Sequence, residues 1–302
     1  MFHIAAFYHF APLPGFEAHR RPLLDLAASE GVKGTILLAS EGVNGTIAGP
    51  LEGVDSVIAA LRGLPGMEGL EPKWSTAEID PFLRLKVRLK REIVSLGVGE
   101  VDSVGNTGTK VPATEWNELI SDPNVLLIDT RNSYEYAIGS FEGAVDPGTR
   151  SFRQFPEWIA NDSRCSKDRP IAMFCTGGIR CEKATAYLKE QGFENVYQLE
   201  GGVLKYLEMV NVEDSMWDGQ CYVFDRRVSV GHGLEPGDLQ VCPNCNSVID
   251  DIDREAEEYV EGVMCGHCHD TITPERIARF AERQRQIDLA AERGDTHLGR
   301  SA

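Results

Sequence analysis

The stretch Cys175-Thr176-Gly177-Gly178-Ile179-Arg180-Cys181-Glu182-Lys183 constrains this chain more than any other. An apolar run, Ile171-Ala172-Met173-Phe174, leads into it, and a helical pattern from Ala184 to Lys189 follows. Strand, glycine turn and helix in that order set the Cys175 thiol over the backbone N–H groups of a helix N-terminus, where negative charge is favoured. Such a setting lowers a thiol pKa, and the thiolate is the reactive form. Cys175 is therefore predicted to act as a nucleophile or to carry a persulfide, in contrast to the inert buried cysteines common in cores. Thr176, Gly177, Gly178 and Ile179 form the expected anion cradle, and Arg180 is expected to orient or neutralise an anionic sulfur or substrate. Cys181 reads equally as a resolving thiol for Cys175 and as core packing.

The bulk composition fits a cytoplasmic globular protein of two or three domains. The chain has 302 residues, of which 42% are hydrophobic and 25% charged, enough to bury sizeable cores. No apolar run is long enough to span a bilayer, and Met1-Phe2-His3-Ile4 lacks the basic start of a signal peptide. The net charge of −17 argues against non-specific nucleic-acid binding by the whole surface, but not against a local basic patch. Two of the eight cysteines lie in the loop, four form C-x-x-C pairs, and Cys165 and Cys221 stand alone. That usage suggests catalysis plus metal binding in a reducing compartment.

Hydrophobic patterning divides the chain into four stretches. In residues 1–95, strands at His3–Tyr8, Gly34–Ala39, Thr46–Ala48 and Leu83–Leu89 alternate with helices at Pro22–Ala28 and Val54–Leu64. Gly42-Val43-Asn44-Gly45 reads as the hairpin turn. The order β-α-β-β-α-β predicts a ferredoxin-like α+β unit. Residues 96–110, with four glycines, read as a linker. Residues 111–212 alternate strands and helices, predicting an α/β unit around a parallel sheet. Residues 213–302 hold the paired cysteines and a final helix from Pro274 towards Glu292.

Loop length bears on the chemistry. Phosphatase loops follow C-x5-R and cradle a phosphate; Cys175 to Arg180 is C-x4-R, which suits a smaller centre such as a sulfane sulfur. Residues 111–212 resemble a rhodanese domain. The resemblance is carried by Asp129-Thr130-Arg131, Tyr134-Glu135, Gly143-Ala144, Gly192 to Tyr197 and Leu199-Glu200-Gly201-Gly202, as well as by the loop itself. It implies that Cys175 is the persulfide-carrying position. Asp129 and Arg131 are expected to form an ion pair supporting the loop floor. With Ser40-Glu41-Gly42-Val43-Asn44-Gly45-Thr46 in front and Asp218-Gly219-Gln220-Cys221-Tyr222-Val223-Phe224-Asp225 behind, the chain is similar to the bacterial tRNA uridine-34 hydroxylases. That resemblance implies oxygen-dependent hydroxylation of the wobble uridine at C5, giving 5-hydroxyuridine. It also implies molecular oxygen as co-substrate and the anticodon stem-loop of tRNA as partner. No flavin or nicotinamide fingerprint is visible, and no oligomeric state is implied. Competing readings are a thiosulfate-type sulfurtransferase carrying a Cys175 persulfide and a non-catalytic RNA-binding scaffold.

Two further patterns complete the reading. Cys242-Pro243-Asn244-Cys245 and Cys265-Gly266-His267-Cys268 have the spacing of a four-thiolate structural zinc site, a cage that iron also fits. Phe82 to Lys90 alternates apolar and basic residues. In a strand this turns Arg84, Lys86, Arg88 and Lys90 to one face. By itself the pattern also fits a solvated strand face. Beside the tRNA-hydroxylase resemblance it reads as a phosphate-contacting stripe.

Overall fold

The computed structural model describes residues 1–99, 101–249 and 251–293. The chain begins with β1 (Phe2–Phe10), α1 (Arg20–Ser29), β2 (Lys33–Ala39), β3 (Gly42–Gly49), α2 (Leu51–Arg62) and β4 (Lys73–Ala77), followed by β5 (Leu85–Leu89). The sheet order is β4-β1-β3-β2-β5. Its first four strands make the expected ferredoxin-like unit, and β5 is added at the edge, parallel to β2. The basic strand is thus an appendage. The strand that closes the unit is Lys-Trp-Ser-Thr-Ala (73–77), which has too little apolar alternation to stand out in sequence.

The hairpin also differs from its sequence reading. Ala39 pairs with Gly42, so the chain turns at Ser40-Glu41, and Gly42 to Gly45 belong to β3. Gly45 serves close packing instead of a turn: a Cβ there would lie 2.5 Å from the Thr35 carbonyl oxygen and 2.8 Å from the Phe7 ring. Glycine inside a strand often marks such an approach. This pairing places Asn44 on a strand, with its side chain on a defined face.

That sheet has two different faces. Phe7, Ile36, Leu38, Val43, Ile47 and Val87 pack beneath α1 and α2. By alternation, Ile4, Ala6, Tyr8, Asn44 and Thr46 point the other way, towards the second half of the molecule.

The second half comprises β6 (Thr109–Val111), α3 (Ala113–Ile120), β7 (Leu126–Asp129), α4 (Ser133–Tyr136), β8 (Gly139–Phe141), α5 (Phe155–Asn161), β9 (Ile171–Phe174), α6 (Ile179–Glu190), β10 (Val196–Leu199) and α7 (Gly202–Met209). Four of these strands form a parallel sheet in the order β6-β10-β9-β7. Every residue of β7 and β9 is buried, as expected of a parallel sheet covered on both faces. Leu127, Ala172, Phe174 and Leu199 face a core containing Trp116 and Tyr206. Leu126, Ile128, Ile171 and Met173 face α5 and α6. The glycine-containing stretch before β6 is anchored there by Leu96, which is fully buried in that second core.

The remaining elements are small. β11 (Trp217–Gly219) pairs with β8, β12 (Cys221–Tyr222) with β13 (Ser229–Val230), and β14 (Gln240–Val241) with β15 (Val248–Ile249). Two helices follow, α8 (Asp251–Glu255) and α9 (Pro274–Glu292). Thr273 caps α9, its hydroxyl accepting from the Arg276 N–H at 3.4 Å, a common helix start. Among the described residues no helix is long and apolar enough to cross a membrane.

Candidate active site

Cys175 follows the last residue of β9, and Gly178, with φ +99°, is the N-cap just before α6. This left-handed turn folds the loop back so that the Gly178 N–H donates to Cys175 Sγ at 3.1 Å. Burial by itself would push the thiol up. The Cys181 thiol, the Arg180 charge and the backbone N–H groups of Cys181 and Arg180 override it and hold Cys175 down to about 5. The other thiols outside the paired cysteines behave oppositely. Burial pushes Cys165 up to about 11 and Cys221 up to about 12. Cys181 is also raised, by burial and by the neighbouring Cys175, and its Sγ lies 3.7 Å from the Thr130 hydroxyl. The environment thus makes Cys175 the acidic member of the pair.

The loop is held from below by charge. Arg180 donates to both carboxylate oxygens of Glu135, at 2.7 and 2.8 Å, and to the Thr176 hydroxyl at 3.2 Å. Thr176 in turn donates to Glu135 at 3.2 Å. Glu135 is fully buried; its carboxyl stays below the usual range because the Arg180 guanidinium overcomes the cost of burial. The sequence marks Glu135 only as part of a resemblance, and its place beneath the loop comes from the short α4. Asp129 and Arg131 form the adjacent buried pair, with Nε to Oδ1 at 2.9 Å and Nη2 to Oδ2 at 2.6 Å. The Arg131 guanidinium lies 4.9 Å from the Trp217 ring centre.

The loop is fixed from above by α7 and by the first sheet. The N–H groups of Val203 and Leu204 donate to the carbonyls of Cys175 and Thr176, both at 3.0 Å. Lys73 Nζ donates to the Gly177 carbonyl at 2.8 Å, and the Tyr8 hydroxyl donates to Glu182 at 3.3 Å. On α6, the buried Lys183 pairs with Glu41 at 2.9 Å and Glu92 at 2.7 Å.

Beside these contacts lies an open-mouthed cavity of ≈ 290 Å³, just below the range of about 300–1,000 Å³ usual for small-molecule pockets. One wall is Ile4, Ala6, Tyr8, Asn44 and Thr46 of the first sheet. Another is the thiol loop, with Cys175, Thr176, Gly177 and Arg180. The third is Val223, Phe224, Asp225 and Arg227, within and just beyond the Asp218–Asp225 segment quoted above. Phe224 is 61% exposed and meets Tyr222 edge-on at 5.2 Å, leaving an aromatic face open for stacking. Arg227 is locked by Asp225 at 2.7 Å and reaches Ser75 of β4 at 3.0 Å. Tyr8, Lys73 and Arg227 carry no local signal, and Val223, Phe224 and Asp225 are marked only as part of a resemblance; all reach the thiol loop through tertiary packing.

The basic stripe is aligned with this cavity. Strand pairing sets Lys86, Thr35, Thr46, Ala6 and Lys73 in one cross-strand row, and Arg88, Leu37, Asn44 and Tyr8 in the next. Residues directly opposite share a face. Lys86 and Arg88 therefore lie on the cavity side of the sheet, about 10 Å (two strand spacings) from β3. Arg84 and Lys90 flank β5, and all four side chains are exposed.

The tail cysteines come together as the spacing predicts. The sulfurs of Cys242, Cys245, Cys265 and Cys268 all lie within 4.8 Å of one another. Cys242 to Cys268 is 3.8 Å and Cys245 to Cys265 is 3.7 Å. A tetrahedral metal with sulfur ligands at about 2.3 Å has edges of about 3.8 Å, so the cluster fits a four-thiolate metal.

Known proteins agree with this architecture. Residues 2–93 match the UPF0176 acylphosphatase-like domain and residues 112–209 the rhodanese-like domain. A tRNA uridine(34) hydroxylase of Teredinibacter turnerae is 52% identical over 296 residues, covering 98% of this chain and 92% of the relative. Its counterpart in Brucella anthropi is 52% identical over 299 residues, covering 99% and 98%. With such identity over nearly the whole length, this chain belongs to the tRNA uridine(34) hydroxylase family.

Proposed function

We propose that this protein hydroxylates the wobble uridine, U34, of tRNA at C5, with molecular oxygen as co-substrate and 5-hydroxyuridine as product. The observation that carries the reading is the thiolate-lined cavity closed jointly by the first sheet, the Cys175 loop and the 223–227 segment. A sulfurtransferase needs only the loop; a base-modifying enzyme needs walls that grip a nucleobase. Its size suits one flipped base, and enzymes that modify a base commonly bring it out of the stack.

In this reading Lys86 and Arg88, with Arg84 and Lys90 beside them, hold phosphates of the anticodon stem-loop, and U34 turns into the cavity. Phe224 stacks on the base. The Cys175 thiolate adds to C6, which makes C5 the electron-rich carbon that meets oxygen. Later loss of the C5 proton and of the thiolate restores the ring. Inserting one oxygen atom of O2 while the other leaves as water takes up two electrons and two protons, which an external dithiol supplies as it is oxidised to its disulfide. Arg180 and Glu135 act as positioning residues, keeping charge and geometry under the thiolate. Cys242, Cys245, Cys265 and Cys268 would hold a structural zinc, since four thiolates leave no position for substrate.

The test is direct. Purified protein is incubated with unmodified tRNA, oxygen and a dithiol reductant, and nucleosides are analysed by mass spectrometry. The expected result is 5-hydroxyuridine at position 34 with wild type and none with Cys175→Ser. No product from wild type, or equal product from the variant, overturns the reading.

A further inference from the structure

We propose that Asn44 accepts a hydrogen bond from N3–H of the wobble uracil and thereby selects uridine over cytidine; the assignment rests on the functional reading above. Asn44 lies on β3 with its side chain on the cavity face, beside Tyr8 of β1. Its Nδ2 donates to the Ile93 carbonyl at 2.9 Å. A carbonyl only accepts, so the amide has one orientation: the NH2 faces Ile93 and Oδ1 faces away. The anchor is itself fixed. The Ile93 N–H donates to Glu41 at 2.6 Å, and Glu41 is paired with the buried Lys183.

Oδ1 is then an acceptor with no donor among the described residues, yet it is not among the buried polar atoms sealed from solvent. It is an open acceptor on the wall of the cavity that also holds Cys175. A second polar group complements it. Lys73 Nζ uses one N–H on the Gly177 carbonyl and keeps two for other acceptors.

Uracil matches this pattern. Its N3–H is a donor flanked by two carbonyl acceptors, O2 and O4. If the C5–C6 edge faces the thiolate, N3 lies on the far side of the ring, across from C6. Oδ1 then receives N3–H, and Lys73 donates to a flanking carbonyl. Cytosine presents a lone pair at N3 and an amino group at C4. Two acceptors would face each other at Asn44, and two donors would meet if the amino group faced Lys73. A site built to pair with a substrate N–H discriminates because a mismatched base leaves buried polar groups unpaired.

The experiment measures binding of short anticodon stem-loops that differ only at position 34, carrying uridine, cytidine or 3-methyluridine, by competition against a labelled uridine stem-loop. Wild type is expected to prefer uridine over both others by at least about tenfold. Asn44→Ala is expected to bind uridine more weakly and to hold the two natural bases within about twofold. Thermal unfolding of the variant reports whether its fold is kept, and the 3-methyluridine comparison needs no variant at all. Equal binding of uridine and 3-methyluridine by wild type overturns the assignment, as does a folded Asn44→Ala with undiminished preference. Hydroxylation of intact tRNA by wild type is scored separately: its failure beside intact discrimination counts against the reaction, whereas turnover beside lost discrimination counts only against Asn44.

Discussion

Arg180 and Glu135 form a two-point ion pair beneath the reactive loop, with N–O distances of 2.7 and 2.8 Å, in a place where Glu135 has no solvent exposure and Arg180 only 8%. Removing one member of such a pair leaves a buried charge without compensation. Glu135→Gln is expected to cost about 3–5 kcal/mol of stability. Thermal or urea unfolding measures it; a loss of under about 1 kcal/mol would show that the pair is dispensable.

The Cys175 thiol titrates at about 5, against about 8.5 for a free cysteine. The shift is downward, so the thiolate persists through neutral pH and is lost only as pH falls through about 5. The difference in thiolate absorbance between wild type and Cys175→Ser is expected to show that midpoint. A midpoint above 8 would remove the basis for calling this thiol activated.

Gly202 has φ +67°, and a Cβ there would lie 2.5 Å from the Cys175 carbonyl oxygen and 2.7 Å from the Gly178 nitrogen. Both neighbours are backbone and cannot swing aside. Gly202→Ala is expected to lose about 1–3 kcal/mol and to raise the Cys175 midpoint, because the loop must open. Unchanged stability and titration together would contradict this packing.

Charge reversal at Lys86 and Arg88 tests the stripe. The double variant Lys86→Glu/Arg88→Glu is expected to weaken anticodon stem-loop binding for uridine and cytidine alike and to flatten the salt dependence by about one to two in log–log slope. The stripe has no part in RNA binding if the slope is unaltered.

For the tail, elemental analysis is expected to find about one equivalent of zinc, lost in Cys242→Ser or Cys268→Ser. Chelation should release hydrogen-exchange protection around Cys242–Cys268, while β7 and β9 stay protected. Full protection of both regions after metal removal would argue that the knuckles hold themselves.

What could be read from sequence follows from how local each feature is. The Cys175 loop is legible because strand, turn and helix are contiguous, and the cysteine pairs because metal geometry dictates their spacing. Glu135 is obscure: its importance depends on α4 lying under a loop that comes later in the chain. Lys73 and Tyr8 are harder still, since they act across a seam between two sheets. Gly42–Gly45 misleads for a different reason. Glycine serves both turns and close strand packing, and only the neighbouring backbone of β2 and the ring of Phe7 tell which. Leu83–Leu89 was recognisable as a strand, but its position at the sheet edge was not, because parallel pairing with β2 leaves no mark on its alternation.

The three-walled cavity also has a bearing on how the protein comes into being. Its parts emerge from the ribosome far apart in time: β1 first, Cys175 past the midpoint, and Arg227 later still. A growing chain that has already folded the thiol loop still has a cleft with one side missing. The third wall closes only when the late segment packs back onto Ser75 and Asp80.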